Sequence, residues 1–138
     1  MSEPNTDGLV ARTTVESTTG YAQKVRAGHH ELTADEPTHL GGTDTGPSPY
    51  GLVLSGLGAC TSITLRMYAE RKGWDLGTVH VELRMFKDAE NKERIERTVR
   101  LGNGALSVEQ RTKLAEIAEK TPVTRTLRGG VPIATRFE

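Results

Sequence analysis

"GPSPYGLVLSGLGACTSITLRMYAERKGW", residues 46–74, decides how the rest of the chain must fold. Ser48 suits a helix N-cap and Pro49 the first helical position, where its missing N–H would have had no partner anyway. Gly73 suits the left-handed position past a last turn that carries Arg71 and Lys72, whose charges complement the carbonyl end of the helix. The spacing therefore predicts one helix over 49–72, about 36 Å long at about 1.5 Å per residue, which is more than so small a domain covers by itself. Gly51, Gly56 and Gly58 each cost a helix interior about 1 kcal/mol relative to alanine. Close approach of a second element against the small residues Ser55, Gly56, Gly58, Ala59, Thr61 and Ser62 is the expected compensation.

The same helix carries the only cysteine, Cys60. Leu57, Cys60, Ile63 or Thr64, and Met67 recur at three- and four-residue spacing, so the thiol is expected to face its apolar neighbours and to be buried. Two readings follow. Cys60 is an inert small core side chain, or it is a nucleophile, which requires a thiolate and hence a cation or helix N-terminus close by. It lies about three turns into the helix, beyond most of the dipole's reach. Arg66, six positions on, projects to another face. An activating cation must come from a different segment.

Upstream, the β-branched run over residues 9–18 reads as a strand, Thr19-Gly20 as a turn, residues 21–28 as a second strand, and residues 29–35 as a third after Gly28; together they form a meander. Residues 36–49, "EPTHLGGTDTGPSP", are a loop that shapes the mouth above the helix. Downstream, "GTVHVELRMF" (77–86) alternates Val79, Val81, Leu83 and Met85 against polar neighbours. "ERIERTVRL" (93–101) alternates less regularly, and "KDAENK" is the hairpin loop between them. Ser107 and Gln110 form a capping-box pair opening a second helix with a stripe of Leu106, Val108, Leu114, Ile117 and Ala118. A short turn, "TPVTRTL", follows. Gly129-Gly130 breaks it, and "VPIATRF" (131–137) closes as a final strand. This order of elements is α+β, in one domain over 1–138 with residues 1–8 as a flexible tail.

Composition narrows the function. The 18 basic and 18 acidic residues cancel, so no global field favours nucleic acid or an anionic membrane. The longest apolar run is interrupted by Ser55, Thr61, Ser62, Thr64 and Arg66, and is not read as a membrane span. "MSEPNTDG" has neither the basic nor the apolar region of a secretory signal, and one cysteine forms no intrachain disulfide; both fit a cytoplasmic location. His29, His30 and His39 with Glu31, Asp35 and Asp44 lack metal-ligand spacing, and His80 sits in a strand alternation. No serine elbow or phosphate-binding glycine loop is present. No metal and no cofactor is expected.

The stretches "GGTDTGPSPYGLVLSGLGACTSITLRMYAERKGW" (41–74) and "EIAEKTPVTRTL" (116–127), with the order of elements, resemble the OsmC/Ohr superfamily and its short OsmC-like members. The resemblance implies an intertwined homodimer in which β-sheets pack around two long central thiol-bearing helices. It also implies reduction of organic hydroperoxides, in which a helix thiolate is oxidised to a sulfenic acid that condenses with a second cysteine. Carried over by residue, Cys60 matches the peroxide-attacking position. The second cysteine's position is Thr121. The family's glutamate positions are Tyr50 and Gly51, and the arginine near the first hairpin is missing from "TTGYAQ" (18–23). Arg26 and Arg125 are the nearest substitutes. What the resemblance leaves is a one-cysteine cycle resolved by an external thiol reductant. The alternative is a non-catalytic dimeric binding protein holding a small hydrophobic ligand at the subunit interface, with Cys60 as lining.

Overall fold

The computed structural model describes residues 6–138, so the expected tail over 1–8 lies largely outside the described residues. The chain divides into two compact units, one ending at Leu52 and the other running Val53–Glu138.

The first unit is an antiparallel meander of β1 (Thr13–Glu16), β2 (Gln23–Ala27) and β3 (His30–Ala34), with Val15 opposite Val25 and Val25 opposite Leu32. The first strand is shorter than residues 9–18. Pairing begins at Thr13 because its partner Ala27 is the last residue of β2 before the turn at Gly28, which leaves Leu9 and Val10 exposed. Asp35 follows β3 and is buried. Its carboxylate accepts from the hydroxyls of Thr43 and Thr45, both at 2.7 Å, and from the backbone N–H groups of Glu36, Thr43 and Thr45 at 2.7, 3.3 and 3.2 Å. These bonds, led by the two threonine hydroxyls, hold its carboxyl well below the usual carboxylate range. The first side chain past β3 thus ties down the Gly/Pro/Thr loop that precedes the long helix.

That helix, α1, spans Pro49–Lys72 as the capping signals predict. The Ser48 hydroxyl accepts from the Gly51 N–H at 3.1 Å. At the other end Gly73 has φ +70°. There the Gly73 N–H bonds the Glu70 carbonyl at 3.2 Å and the Trp74 N–H the Ala69 carbonyl at 2.9 Å, the paired closure of a glycine-terminated helix. By length and composition alone α1 would pass for a membrane span. One face of it, with Leu57, Thr61, Leu65 and Ala69, is buried by the protein itself.

In the second unit β4 (Val79–Lys87) and β5 (Glu93–Leu101) form an antiparallel pair in unbroken register from Val79–Leu101 to Lys87–Glu93. Helix α2 (Val108–Ala118) opens with the predicted capping box: the Ser107 hydroxyl accepts from the Gln110 N–H at 3.1 Å, and the Gln110 side chain accepts from the Ser107 N–H at 2.8 Å. Leu65, Ala69, Leu76, Leu106, Leu114 and Ala118 make the core, edged by Trp74, Tyr68 and Val99. Each fully buried leucine there contributes about 1.5–3 kcal/mol. Val108 does not belong to the buried stripe; it sits in the first turn of α2, exposed.

Two further expectations are corrected. "TPVTRTL" is not a turn but the start of a helix, α3 (Pro122–Gly129), because Pro122 occupies the first helical position where proline favours rather than breaks a helix. "VPIATRF" is no strand in this chain: residues 130–138 have no ladder partner, and Ile133 and Phe137 stand 85% and 96% exposed.

Candidate functional site

The rotation of α1 is set by what it buries. Gly58 passes so close to β4 that a Cβ built on it would lie 2.8 Å from Leu83 Cδ1, which explains a residue that otherwise only weakens the helix. Thr61, one turn on, is fully buried. The buried face therefore runs Leu57, Gly58, Thr61, Leu65, Ala69. The sequence reading put Cys60 on the buried face with Ile63 and Met67, and that is corrected: Ile63 and Met67 are 59% and 57% exposed, and Cys60 is half-buried at the border. Successive helical residues diverge by about 100°, so burying Thr61 turns its neighbour aside.

Beneath the buried face lies a polar network built on Arg97. Its guanidinium rises from the core-facing side of β5, opposite Leu83, and the side chain is only 12% exposed. Nη1 donates to the Thr61 hydroxyl at 3.0 Å and to the Thr124 hydroxyl at 2.8 Å. Nη2 donates to the Ala118 carbonyl at 3.1 Å and reaches Glu119 Oε1 at 3.5 Å. The Thr61 hydroxyl in turn donates to the Leu57 carbonyl at 2.7 Å, and the hydroxyls of Thr121 and Thr124 lie 2.6 Å apart. One cation thus ties α1, β5, the end of α2 and α3 together, and Thr121 is sealed within that junction. Glu119 closes the outer side. Its hydrogen bond to Arg128, with the charges of Arg128 and Arg97, holds its carboxyl below the usual range, against a smaller opposing effect of burial.

Cys60 lies outside this network. Its Sγ has the Thr64 hydroxyl as polar neighbour at 4.0 Å, one turn on. Of the two arginines named from the sequence, Arg26 lies on β2 in the first unit and is paired with Glu31 at 2.6 Å. Arg125 lies on the exposed side of α3. Tyr50 is exposed in the first turn of α1. Among the described residues, no group of three or more His, Cys, Asp and Glu side chains is placed to hold a metal ion.

Arg97 was missed from the sequence, although a signal was there. In "ERIERTVRL" the core-facing positions of a period-two strand are Ile95, Arg97, Val99 and Leu101, and a charge in that row needs buried partners.

What the site offers chemically is a rigid, fully bonded floor under one face of α1 and a sulfur at the edge of the other. On that other face Val53, Ile63 and Met67 are exposed within one chain.

This fold is that of a known family. The family model described as OsmC-like protein matches residues 42–136, and the chain belongs to the OsmC-like family. No curated protein matches it by sequence. Among solved structures it is similar to an OsmC-like protein from Mycoplasma pneumoniae (18% identity, TM-score 0.71, covering 89% of this chain and 90% of that one). It is also similar to an organic hydroperoxide resistance protein OsmC, described as a predicted redox protein, from Legionella pneumophila (21%, 0.65, 90% and 93%). A third similar structure is the organic hydroperoxide resistance protein OhrB of Bacillus subtilis (22%, 0.61, 89% and 93%). At these identities the likeness is one of fold.

Proposed function

We propose that this OsmC-like protein is a cytoplasmic homodimer that reduces organic hydroperoxides through Cys60 alone, with an external thiol completing the cycle. The observation that carries the proposal is the placement of Cys60: half-buried on α1, inside the family match, at the border of an apolar face that a single chain leaves open. A second copy laid on that face would bury Val53, Ile63 and Met67 and enclose the sulfur in a shared cleft. The unpaired stretch 131–137, with Val131, Ile133 and Phe137 exposed, is a strand-like sequence that such a dimer would cover.

The chemistry balances without a second protein thiol. The Cys60 thiolate attacks the terminal oxygen of the hydroperoxide, forming an S–O bond as the O–O bond breaks. The alkoxide leaves and takes a proton to become the alcohol, and Cys60 becomes a sulfenic acid. One external thiol then displaces water to give a mixed disulfide, and a second releases the external disulfide and restores the thiol. Thr121 has no part in this cycle; its hydroxyl is committed to Thr124. Arg125 and Arg26 are the cations assigned here to stabilise the thiolate in the assembled dimer.

The second reading, a binding protein with Cys60 as lining of a small hydrophobic ligand's interface cleft, is favoured by one observation: the sulfur's polar neighbour is a threonine hydroxyl and not a cation. Consumption of an alkyl hydroperoxide with dihydrolipoamide separates the two. The enzyme reading predicts turnover that Cys60→Ser abolishes. Equal rates for the two proteins would leave only the binding reading.

A further inference from the structure

Attack on a peroxide is directional. The sulfur must approach in line with the O–O bond that breaks as the S–O bond forms, so a thiolate has to be aimed as well as exposed. The rotation of α1 sets the aim of Cys60, because a side chain on a rigid helix turns with it. Side-chain ends stand about 5 Å from a helix axis, so a rotation of about 20° carries the sulfur about 1.7 Å sideways. A misplacement of about 1 Å can cost a reaction about a hundredfold.

Much of the packing around Cys60 leaves that rotation loose. Gly56 and Ala59 are exposed and Ser62 half-buried, all too small to key into a neighbour, and Gly58 meets Leu83 with no side chain of its own. Leu57 and Leu65 are buried on the same face, but apolar burial is non-directional. Thr61, the residue after Cys60, is different. It is fully buried, and its hydroxyl donates to the Leu57 carbonyl at 2.7 Å while accepting from Arg97 Nη1 at 3.0 Å. Hydrogen bonds weaken steeply when bent. The donor is itself immobilised: the Arg97 guanidinium rises from β5 and is held by the Thr124 hydroxyl and the Ala118 carbonyl at 2.8 and 3.1 Å. This bond is a directional pin between a strand and the turn of helix that carries the cysteine, and all of its parts lie in the second unit.

We propose that Arg97 and Thr61 are positioning residues for the peroxide reaction, their hydrogen bond fixing the rotation of α1 that aims the Cys60 sulfur. The inference rests on the Cys60 reading above. Arg97 does not touch the reacting atoms; it acts through Thr61, and the helix passes the constraint one residue back.

The test compares two rates in the folded full chain. One is oxidation of Cys60 by cumene hydroperoxide, trapped with dimedone and read by intact mass. The other is alkylation by iodoacetamide, which needs an accessible thiolate but approaches from any open side. Thr61→Val keeps the side-chain shape and the Arg97 charge and removes the acceptor. It should slow the peroxide step about tenfold or more and leave alkylation within about twofold of wild type. Thr61→Ser restores the oxygen, loses a methyl group, and should recover the wild-type peroxide rate. Arg97→Met removes the donor and should slow the peroxide step about as much as Thr61→Val, with no further loss when the two are combined. Circular dichroism checks folding, and Arg97→Met decides the matter if Thr61→Val is unfolded. Wild-type peroxide rates in Thr61→Val, peroxide and alkylation rates that fall together, or Thr61→Ser as slow as Thr61→Val would each overturn the proposal while leaving the Cys60 reading in place. A wild-type sulfur that the hydroperoxide does not oxidise would remove the Cys60 reading itself, and this inference with it.

Discussion

Replacing Thr61 with valine keeps the shape of a fully buried side chain and removes the oxygen that Arg97 Nη1 bonds at 3.0 Å. The Leu57 carbonyl loses the threonine hydroxyl but keeps its helical N–H partner, so the damage falls on one side: a guanidinium N–H is left without an acceptor in a 12% exposed side chain. An unsatisfied buried donor costs about 1–3 kcal/mol. For a chain of this length that is a fall in Tm of about 4 °C per kcal/mol. Arg97→Met removes the charge and keeps most of the stem, and the groups it abandons retain other partners: Thr61 bonds Leu57, Thr124 bonds Thr121, and the Ala118 carbonyl is within 3.4 Å of Thr124 Oγ1. In the Arg97→Met background, therefore, Thr61→Val should cost almost nothing, a coupling of about 1–3 kcal/mol between the two sites. Urea unfolding followed by circular dichroism, at one protein concentration throughout, measures all four corners of the cycle. Thr64→Val, on the half-buried border one turn on, is the control and should stay within about 0.5 kcal/mol. If Thr61→Val costs as much without Arg97 as with it, the junction is not held by this guanidinium and the reasoning fails.

Asp35 gives a pH dependence with a definite sign. Its folded carboxyl titrates below its unfolded value of about 3.9, so its contribution is complete above about pH 4 and is lost progressively as pH falls below that. Asp35→Asn should destabilise the protein at neutral pH and flatten the acid limb of stability against pH; a variant with the wild-type acid limb would show that the loop is held some other way. Gly56 separates one chain from two. Nothing lies within 4 Å of where its Cβ would be, so helix propensity alone predicts that Gly56→Ala gains about 1 kcal/mol. Close packing of a second copy predicts instead weaker self-association in sedimentation velocity, which is the outcome expected here, and a more stable variant with unchanged association would argue against it.

The helix ends were legible because capping is local chemistry: Ser48, Pro49 and Gly73 each need only their own neighbours to act, and α1 begins and stops where they say. The capping box at Ser107 and Gln110 was legible for the same reason. The face of α1 was not. Its rotation is chosen by Gly58 meeting Leu83 and by Thr61 meeting Arg97, pairs 25 and 36 residues apart in sequence, and a helix dense in small residues offers no single apolar stripe to betray the choice. The last strand failed in the opposite way. "VPIATRF" has the composition of a strand, but a strand requires a partner, and composition does not say whether one is available within the same chain. Cys60 was found by being the only sulfur nucleophile; what surrounds it depended on the rotation that could not be read.

The most direct test of Cys60 as a peroxide-reactive sulfur is intact mass spectrometry of the folded protein after one equivalent of an alkyl hydroperoxide in the presence of dimedone, which traps sulfenic acids. The proposal predicts one adduct per chain, mapped to Cys60 and absent from Cys60→Ser. A folded protein whose cysteine stays unmodified, and is trapped only once denatured, would contradict it.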